Sequence, residues 1–271
     1  MRQKKRDKRS GIVTLITDFG LEAEYTGALK GAILSANPRC QVVDVTHQIP
    51  PQDILRASFL LENSYPYFPE GTVHLVVVDP GVGTRRRPLI LKRRGNFFVG
   101  PDNGVFTGVL STPGECAGYE ISEKKWFRKP VSATFHGRDL FGPVAGHLAA
   151  GLPPQRFGPR VSGFAEARWP RPEWIGNRLT GRILWIDGFG NLLSNISREQ
   201  HGLTLAQRRW RISGKRWRIE ALSKTYGEGR PGEPLALFGS SGYLELAVNG
   251  GRAADGLGMK PGDPLVIRLG N

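Results

Sequence analysis

The residues in this 271-residue sequence best suited to chemistry are polar groups that directly follow apolar, strand-like runs. Asp18 follows one such run in Thr17-Asp18-Phe19-Gly20, and Thr46-His47 follows a second. Asp79-Pro80-Gly81-Val82-Gly83-Thr84 and Pro101-Asp102-Asn103-Gly104 follow two more, while His136 stands in Thr134-Phe135-His136-Gly137-Arg138-Asp139 just ahead of a helical pattern. Ligands of open α/β sheets bind beyond the carboxyl ends of the strands. An acid, a base and several backbone-exposing glycines therefore converge on one edge, the equipment for moving a proton on a small polar ligand.

Each group also has a plainer reading. A strand-end Asp serves as a helix cap or turn former, and Pro101 to Gly104 reads equally well as a turn. Gly81-Val82-Gly83-Thr84-Arg85-Arg86 lacks both the P-loop lysine pattern and the third glycine of a dinucleotide fingerprint. His47, His74, His147 and His201 have no matching partners in sequence and are read as structural. The residues by themselves stop at an α/β domain with a polar site.

The elements that must position these groups follow from hydrophobic period. Ile12 to Thr17 reads as a buried strand, and Tyr25, Leu29, Ala32, Ile33 and Ala36 recur at helical spacing until Asn37-Pro38. Val42 to Thr46 is a second strand, Gln52 to Leu61 a helix opened by Pro50-Pro51, and Val73 to Val78 a strand covered on both faces. Leu89 to Lys92 and Phe97 to Val99 are later strands, and Leu140 to Leu148 is a helix stopped at Gly151-Leu152-Pro153. The expected fold is an α/β N-terminal domain with a central, mostly parallel sheet flanked by helices, followed by a small, mostly antiparallel β domain. Its short strands are Arg182 to Ile186, Arg208 to Ile212, Arg216 to Leu222, Leu235 to Phe238, Leu244 to Val248 and Leu265 to Leu269. The expected divisions are a basic disordered tail over 1–10, the α/β domain over 11–165, a linker over 166–180 and the β domain over 181–271.

Composition narrows the function classes. Cys40 and Cys116 are the two cysteines and form no metal-binding cluster, which fits a reducing, cytoplasmic setting. No apolar run reaches the roughly 20 residues that span a bilayer, and no signal-peptide pattern follows the basic N-terminus, so no membrane partner is expected. The formal net charge of +14 invites a nucleic-acid reading. Six basic residues against Asp7 place a net +5 of it within the first nine residues, and no recognised nucleic-acid module accompanies the rest. Nucleic acid is therefore not expected as the main partner.

The same segments resemble the S-adenosylmethionine hydroxide adenosyltransferases, also called SAM hydrolases, relatives of the fluorinase and chlorinase. The resemblance runs from about Ile12 to the C-terminus. It is carried by Thr17-Asp18-Phe19-Gly20 with Tyr25, Asp44 to His47, Pro51-Gln52-Asp53, Phe68 to Val73, Val77 to Arg86, Pro101 to Gly104, Phe135 to Asp139, Ile186 to Asn191 and Gly239-Ser240-Ser241-Gly242. It implies hydrolysis of S-adenosylmethionine to adenosine and methionine without metal or cofactor, by a catalytic trio that falls on Asp79, Arg86 and His136. Halide-using relatives carry Tyr at the positions of Asp79 and His136, which points here to water as the nucleophile; Gly137 matches either group. The resemblance further implies Asp18 on the ribose hydroxyls with Gln52 and Phe135 near the ribose, and Phe189 and Asn191 on the adenine. Asp187, Ser240 and Ser241 fall on the methionine end. It also implies a homotrimer whose sites lie between neighbouring subunits. Ala23 stands where relatives often carry Asp, and Pro170 where a halide enzyme carries Asn, and either change is one that can loosen the substrate pocket.

Overall fold

A computed structural model describes residues 9–111 and 113–270. The chain divides into two units, residues 1–168 and 169–271. In order, the first contains β1 (Ile12–Thr17), α1 (Tyr25–Ala36), β2 (Gln41–Thr46), α2 (Ile54–Ser64), β3 (Val73–Val77), β4 (Pro88–Arg93) and β5 (Asn96–Pro101). It continues with α3 (Thr107–Ser111), β6 (Cys116–Glu120), a π-helical turn over Gly137–Phe141, α4 (Gly142–Ala149) and β7 (Arg160–Val161).

These strands form one sheet in the order β2-β1-β3-β5-β4-β6-β7. The sheet is mixed, which corrects the expectation of a mostly parallel one. β2, β1, β3 and β5 pair in parallel, whereas β4 pairs antiparallel with β5 and β6, and β7 antiparallel with β6. The reversal has a local cause. Arg93 lies opposite Asn96, so only Arg94 and Gly95 connect β4 to β5, and both have positive φ, 46° and 75°. That is the backbone of a tight hairpin, and two residues are far too few for the crossover that a parallel pair requires.

Both faces of the sheet are covered, which explains the uninterrupted apolar runs. Val13, Leu15, Leu75, Val77, Phe97 and Val99 pack with Leu29 and Ile33 of α1 and with Val144 and Leu148 of α4. Residues of the opposite parity, Val76, Leu89, Leu91 and Phe98, pack with Ala57 and Leu61 of α2 and Val109 of α3. Helix α2 begins later than its Pro-Pro opening suggests, because Asp53 is its cap, accepting from the Arg56 N–H at 2.9 Å, and Gln52 sits outside it at φ 66°. Of the expected basic tail, residues 1–8 lie outside the described residues. Arg9 and Ser10 belong to the folded unit: Arg9 donates to the carbonyls of Leu148 and Leu152 at 2.9 and 3.1 Å and covers the Phe97 ring at 4.0 Å.

The second unit contains β8 (Glu173–Ile175), β9 (Arg178–Ile186), β10 (Leu192–Ser197), α5 (Arg198–Gln207), β11 (Trp210–Ser213), β12 (Arg218–Ile219), β13 (Pro234–Phe238), β14 (Tyr243–Val248), α6 (Ala253–Leu257) and β15 (Pro264–Leu269). Its sheet runs β12-β11-β15-β9-β10-β14-β13 with β8 added on β9, and the strand pairings are antiparallel. A bridge from Leu222 to Ala236 brings the chain beyond β12 onto β13 and nearly closes a barrel around Leu179, Ile183, Leu192, Leu246 and Ile267. Part of the expected linker is strand: β8 and the start of β9 fall within 166–180.

Helix α4 carries the segment behind His136 and packs closely on α1. A Cβ on Gly146 would lie 2.6 Å from the Ile33 carbonyl oxygen and 2.9 Å from the Ala36 Cβ, so the helix backbones touch here. Gly146→Val is expected to destabilise the protein by about 1–3 kcal/mol through overpacking. Equilibrium urea unfolding checks this, and an unchanged midpoint would show that the contact is not tight.

Candidate active site

Strand β3 is buried along its whole length and delivers Asp79 at its carboxyl end. The loop that follows turns twice, with Val82 N–H on the Asp79 carbonyl and Thr84 N–H on the Gly81 carbonyl, both at 3.1 Å. Gly83 makes the fold-back possible. Its φ is 77°, and a Cβ there would sit 2.6 Å from the Ala133 carbonyl oxygen, so no other residue fits against the neighbouring segment. The glycines thus shape a return path rather than a phosphate cradle.

That path brings Arg86 back onto Asp79. Arg86 Nε donates to Asp79 Oδ1 and Oδ2 at 2.9 and 3.0 Å, and its Nη2 also donates to Oδ2. The side chains are only 9% and 5% exposed. The same Nη2 lies 2.9 Å from His136 Nδ1. A guanidinium has no acceptor, so Nδ1 must accept, and the imidazole is neutral with its proton on Nε2. The electrostatics agree. Burial, and after it the positive charge of Arg86, lower the His136 pKa against smaller opposing effects of Asp79 and Asp139.

His136 is held by its own framework. Asp139 is fully buried. It accepts from Arg138 Nε and Nη2 at 2.7 and 2.8 Å and from the Ser132 N–H at 2.8 Å. Burial works to raise the Asp139 pKa, but these donors outweigh it and the net shift is downward. The loop around His136 is therefore tied to a carboxylate that stays ionised.

The Pro101 to Gly104 turn braces the Asp79 to Arg86 loop at both ends. Asn103 Nδ2 donates to the Val78 carbonyl at 2.9 Å, one residue before Asp79. Asp102 accepts from Arg87 Nε at 2.8 Å and gives its own N–H to the Arg87 carbonyl at 2.8 Å, one residue after Arg86. Its other oxygen holds the Ala165 N–H at 2.7 Å. Sequence spacing singled out this turn but not its task, because the contacts cross from one strand end to another.

Asp18, at the end of β1, accepts the Gln52 N–H at 2.9 Å. Gln52 is held in the left-handed region at φ 66°, a conformation that a non-glycine residue keeps only where its surroundings fix it. His47 supports the Asp18 turn from beneath: its Nδ1 is 2.8 Å from Thr17 Oγ1, and its carbonyl accepts the Gly20 N–H at 2.8 Å. Phe135 packs edge-on against Phe19 and Tyr25, with ring centroids at 5.6 and 5.3 Å. The residues beside Asp18 and beside His136 therefore touch, giving the first unit a continuous polar and aromatic site.

In the second unit Asp187 organises the Ile186 to Asn191 loop. One oxygen accepts the N–H groups of Phe189 and Asn191 at 2.9 and 2.8 Å, and the other accepts from Asn191 Nδ2 at 2.9 Å. Asn191 is thereby buried with its amide oriented, while Phe189 is 81% exposed. Ser240 and Ser241 lie on the turn between β13 and β14, and Ser241 Oγ is buried without a hydrogen-bond partner. The sequence reading missed Glu245 and Tyr226. Tyr226 donates to buried Glu245 at 2.7 Å, and burial followed by the Glu245 contact pushes the phenol pKa up. Burial, together with the Asp187 charge, raises Glu245 against the Tyr226 hydrogen bond. Among the described residues no group of three or more His, Cys, Asp and Glu is arranged to hold a metal ion.

Comparison with known proteins matches residues 13–158 to the SAM hydroxide adenosyltransferase N-terminal domain and residues 181–266 to the C-terminal domain of that family. A Thermus thermophilus protein named (R)-S-adenosyl-L-methionine hydrolase is 40% identical over 262 residues, covering 93% of this chain and 98% of its own. A Salinispora tropica protein of the same name is also 40% identical, covering 95% and 98%. A fluorinase from Nocardia brasiliensis is 28% identical over 97% of this chain and 98% of its own. A crystal structure of an uncharacterized conserved protein from Thermotoga maritima superposes with a TM-score of 0.85 at 38% identity, covering 95% of this chain and 99% of that one.

The His136 geometry gives a direct expectation. At pH 7 its ¹⁵N NMR signature should be that of a neutral ring protonated on Nε2, and Arg86→Gln, which removes a charge that disfavours the imidazolium, should raise its pKa. A ring protonated on Nδ1, or a pKa that falls in the variant, would contradict the Arg86 contact.

Proposed function

The chain belongs to the SAM hydroxide adenosyltransferase family, and from that premise we propose that it hydrolyses S-adenosylmethionine: water attacks C5′ of the ribose, the C–S bond breaks, and adenosine, methionine and a proton leave. The observation that carries this reading is the single guanidinium joining a carboxylate to a neutral imidazole, Asp79–Arg86–His136. The names of the 40%-identical relatives support it, and the fluorinases stand further away.

The sulfonium is already an activated leaving group, since its departure turns a cation into a neutral thioether, so the proposal includes no cofactor. Water is the difficult partner, with a pKa of about 15.7 in bulk. Holding it as hydroxide at pH 7 would take about nine pKa units, or roughly 12 kcal/mol at about 1.4 per unit. Concerted proton removal needs less, and general-base help is worth roughly 10²–10⁴-fold. Because His136 Nδ1 is occupied by Arg86, its Nε2–H is a donor and serves to aim the water oxygen. Asp79, whose oxygens keep lone pairs beyond those that Arg86 fills, takes the proton. Arg86 fixes both partners and stabilises hydroxide character as it develops. Alignment of oxygen, C5′ and sulfur contributes more, up to roughly 7–11 kcal/mol in the best intramolecular models.

For substrate contacts we propose Asp18, with Gln52 and Phe135, at the ribose, Phe189 and Asn191 at the adenine, and Asp187, Ser240 and Ser241 at the methionine end. The Asp187 carboxylate near Glu245 suits a cationic amino group, and the exposed Phe189 ring suits an aromatic partner. We further propose a homotrimer in which the Asp79 cluster of one subunit works with the Asn191 loop of its neighbour, in the cytoplasm, a setting with which the free thiols of Cys40 and Cys116 are compatible. No helix among the described residues is long and apolar enough to cross a membrane.

In ¹⁸O-labelled water the label should appear on the 5′-hydroxyl of adenosine, with methionine unlabelled. Asp79→Asn should lower kcat by at least about 10²-fold while changing binding far less. Methylthioadenosine as the main product, or a halogenated adenosine when chloride or fluoride is added, would sink the hydrolytic assignment. Activity should also decline on the acid side with an apparent pKa below the usual 6.5 of histidine, because protonated His136 cannot accept from Arg86.

The shared-site proposal has its own check. Mixing Asp79→Asn with Asn191→Ala subunits should restore part of the activity through hybrid sites. No rescue despite verified subunit exchange would refute sharing.

A further inference from the structure

Asp187 and Glu245 lie on one face of the C-terminal sheet. Leu193 of β10 stands opposite Trp185 of β9 on one side and Glu245 of β14 on the other. Asp187 follows Trp185 by two residues, so strand alternation turns it to the same side as Glu245. Burial is the main reason that the pKa values of Glu245 and Tyr226 are raised, and the charge of Asp187 adds to both, which places the two carboxylates within electrostatic reach of each other. Among the described residues neither forms an ion pair. A charge withdrawn from water is costly without a counter-charge, so this pair of acids has room for a cation that the chain itself does not supply.

The oxygens of Glu245 are held in place and only partly satisfied. Oε2 accepts from the Tyr226 hydroxyl at 2.7 Å. Oε1 accepts no hydrogen bond among the described residues and is not sealed in. The carboxylate fills the space beside Gly239, where a Cβ would overlap Oε1 and lie 2.5 Å from Cδ, so a side chain at that position would expel it. Gly239 also opens the turn that carries Ser240 and Ser241, closed by the Gly242 N–H on the Gly239 carbonyl at 3.0 Å. Ser241 Oγ is buried without a partner. Asp187 Oδ2 accepts only from Asn191 Nδ2 and keeps a lone pair. An ammonium group, with three donors and no acceptor, is the complement of such acceptors.

We infer that Glu245, held by Tyr226 and seated on Gly239, is a specificity-determining residue of the methionine end: beside Asp187 it supplies the negative charge that requires a protonated α-amino group on the substrate. The inference rests on the hydrolysis of S-adenosylmethionine proposed above. Tyr226 acts through Glu245 as a positioning residue. The substrate class that follows is narrow. It comprises adenosyl sulfonium compounds whose amino-acid chain keeps its free ammonium, and not those in which that amino group is acylated or replaced by hydrogen.

The test compares S-adenosylmethionine with the analogue whose α-amino group is replaced by hydrogen, using the full chain. Turnover is assayed, and binding of each ligand is measured by calorimetry, which does not depend on turnover. The native protein should bind the analogue at least about 10-fold more weakly, the loss expected for a hydrogen-bonded charge. Glu245→Gln keeps the shape and removes the charge. It should raise KM and Kd for S-adenosylmethionine at least about 10-fold with kcat changing much less, and leave the Kd of the analogue near its native value. Tyr226→Phe disturbs the fold less, because the ring is 45% exposed, and should show the same selective loss in smaller measure. An equal loss for both ligands in these variants would reveal a purely structural role and overturn the inference. So would a Glu245→Gln protein that binds S-adenosylmethionine like the native one, or a native protein that binds the two ligands equally. If the native protein binds S-adenosylmethionine with this selectivity and does not split it, the hydrolytic reading fails and the ammonium reading stands.

Discussion

Arg86 can only donate, and it donates in two directions, to the Asp79 carboxylate and to His136 Nδ1. That constraint decides the chemical state of everything around it. It keeps His136 neutral, puts the ring proton on Nε2, and leaves Asp79 as the group with acceptor capacity to spare. It also requires three chain segments to meet within hydrogen-bond distance, and a planar fork tolerates little misplacement. Much of the first unit can be read as the means of meeting that requirement. Gly83 lets the loop press on Ala133, Asn103 and Asp102 grip the residues flanking Asp79 and Arg86, and Asp139 ties down the segment that carries His136.

What was legible in the sequence follows the same physics. β1 and α1 could be read to their end residues because each buries a continuous stripe against a sheet or helix, so period and burial coincide. β10 and α5 were not seen. Strand β10 buries Ser194 and Asn195, whose hydrogen bonds to the Leu244 carbonyl and from the Arg182 N–H are supplied by neighbouring strands, and α5 buries only His201 and Leu205. Neither leaves a hydrophobic period to read. Sheet direction was misjudged for a related reason: the antiparallel half depends on an Arg94-Gly95 turn whose positive φ values the residue types do not announce clearly.

The candidate site was legible as a set of residue types and not as an arrangement. Asp79, Arg86 and His136 could be named, yet their division of labour rests on which nitrogen of His136 faces Arg86. Likewise Asp187 was singled out for a ligand, but its oxygens first build the loop that orients Asn191 and projects Phe189. Glu245 and Tyr226 escaped notice because a glutamate in a strand and a tyrosine in a loop carry no motif; only burial and their mutual hydrogen bond distinguish them.

These features bear on how such a site can work without a strongly shifted nucleophile. Arg86 reaches both oxygens of the Asp79 carboxylate and so fixes the direction of the lone pairs that remain. In the proposed reaction the leaving group is already a cation, so bond breaking asks little and aligning water, carbon and sulfur asks most. General-base help spans roughly 10²–10⁴, about 3–5 kcal/mol, whereas alignment reaches roughly 7–11 kcal/mol. A loop braced at both ends and closed by a buried ion pair suits the proposed reaction, in which the larger of these two contributions is geometric.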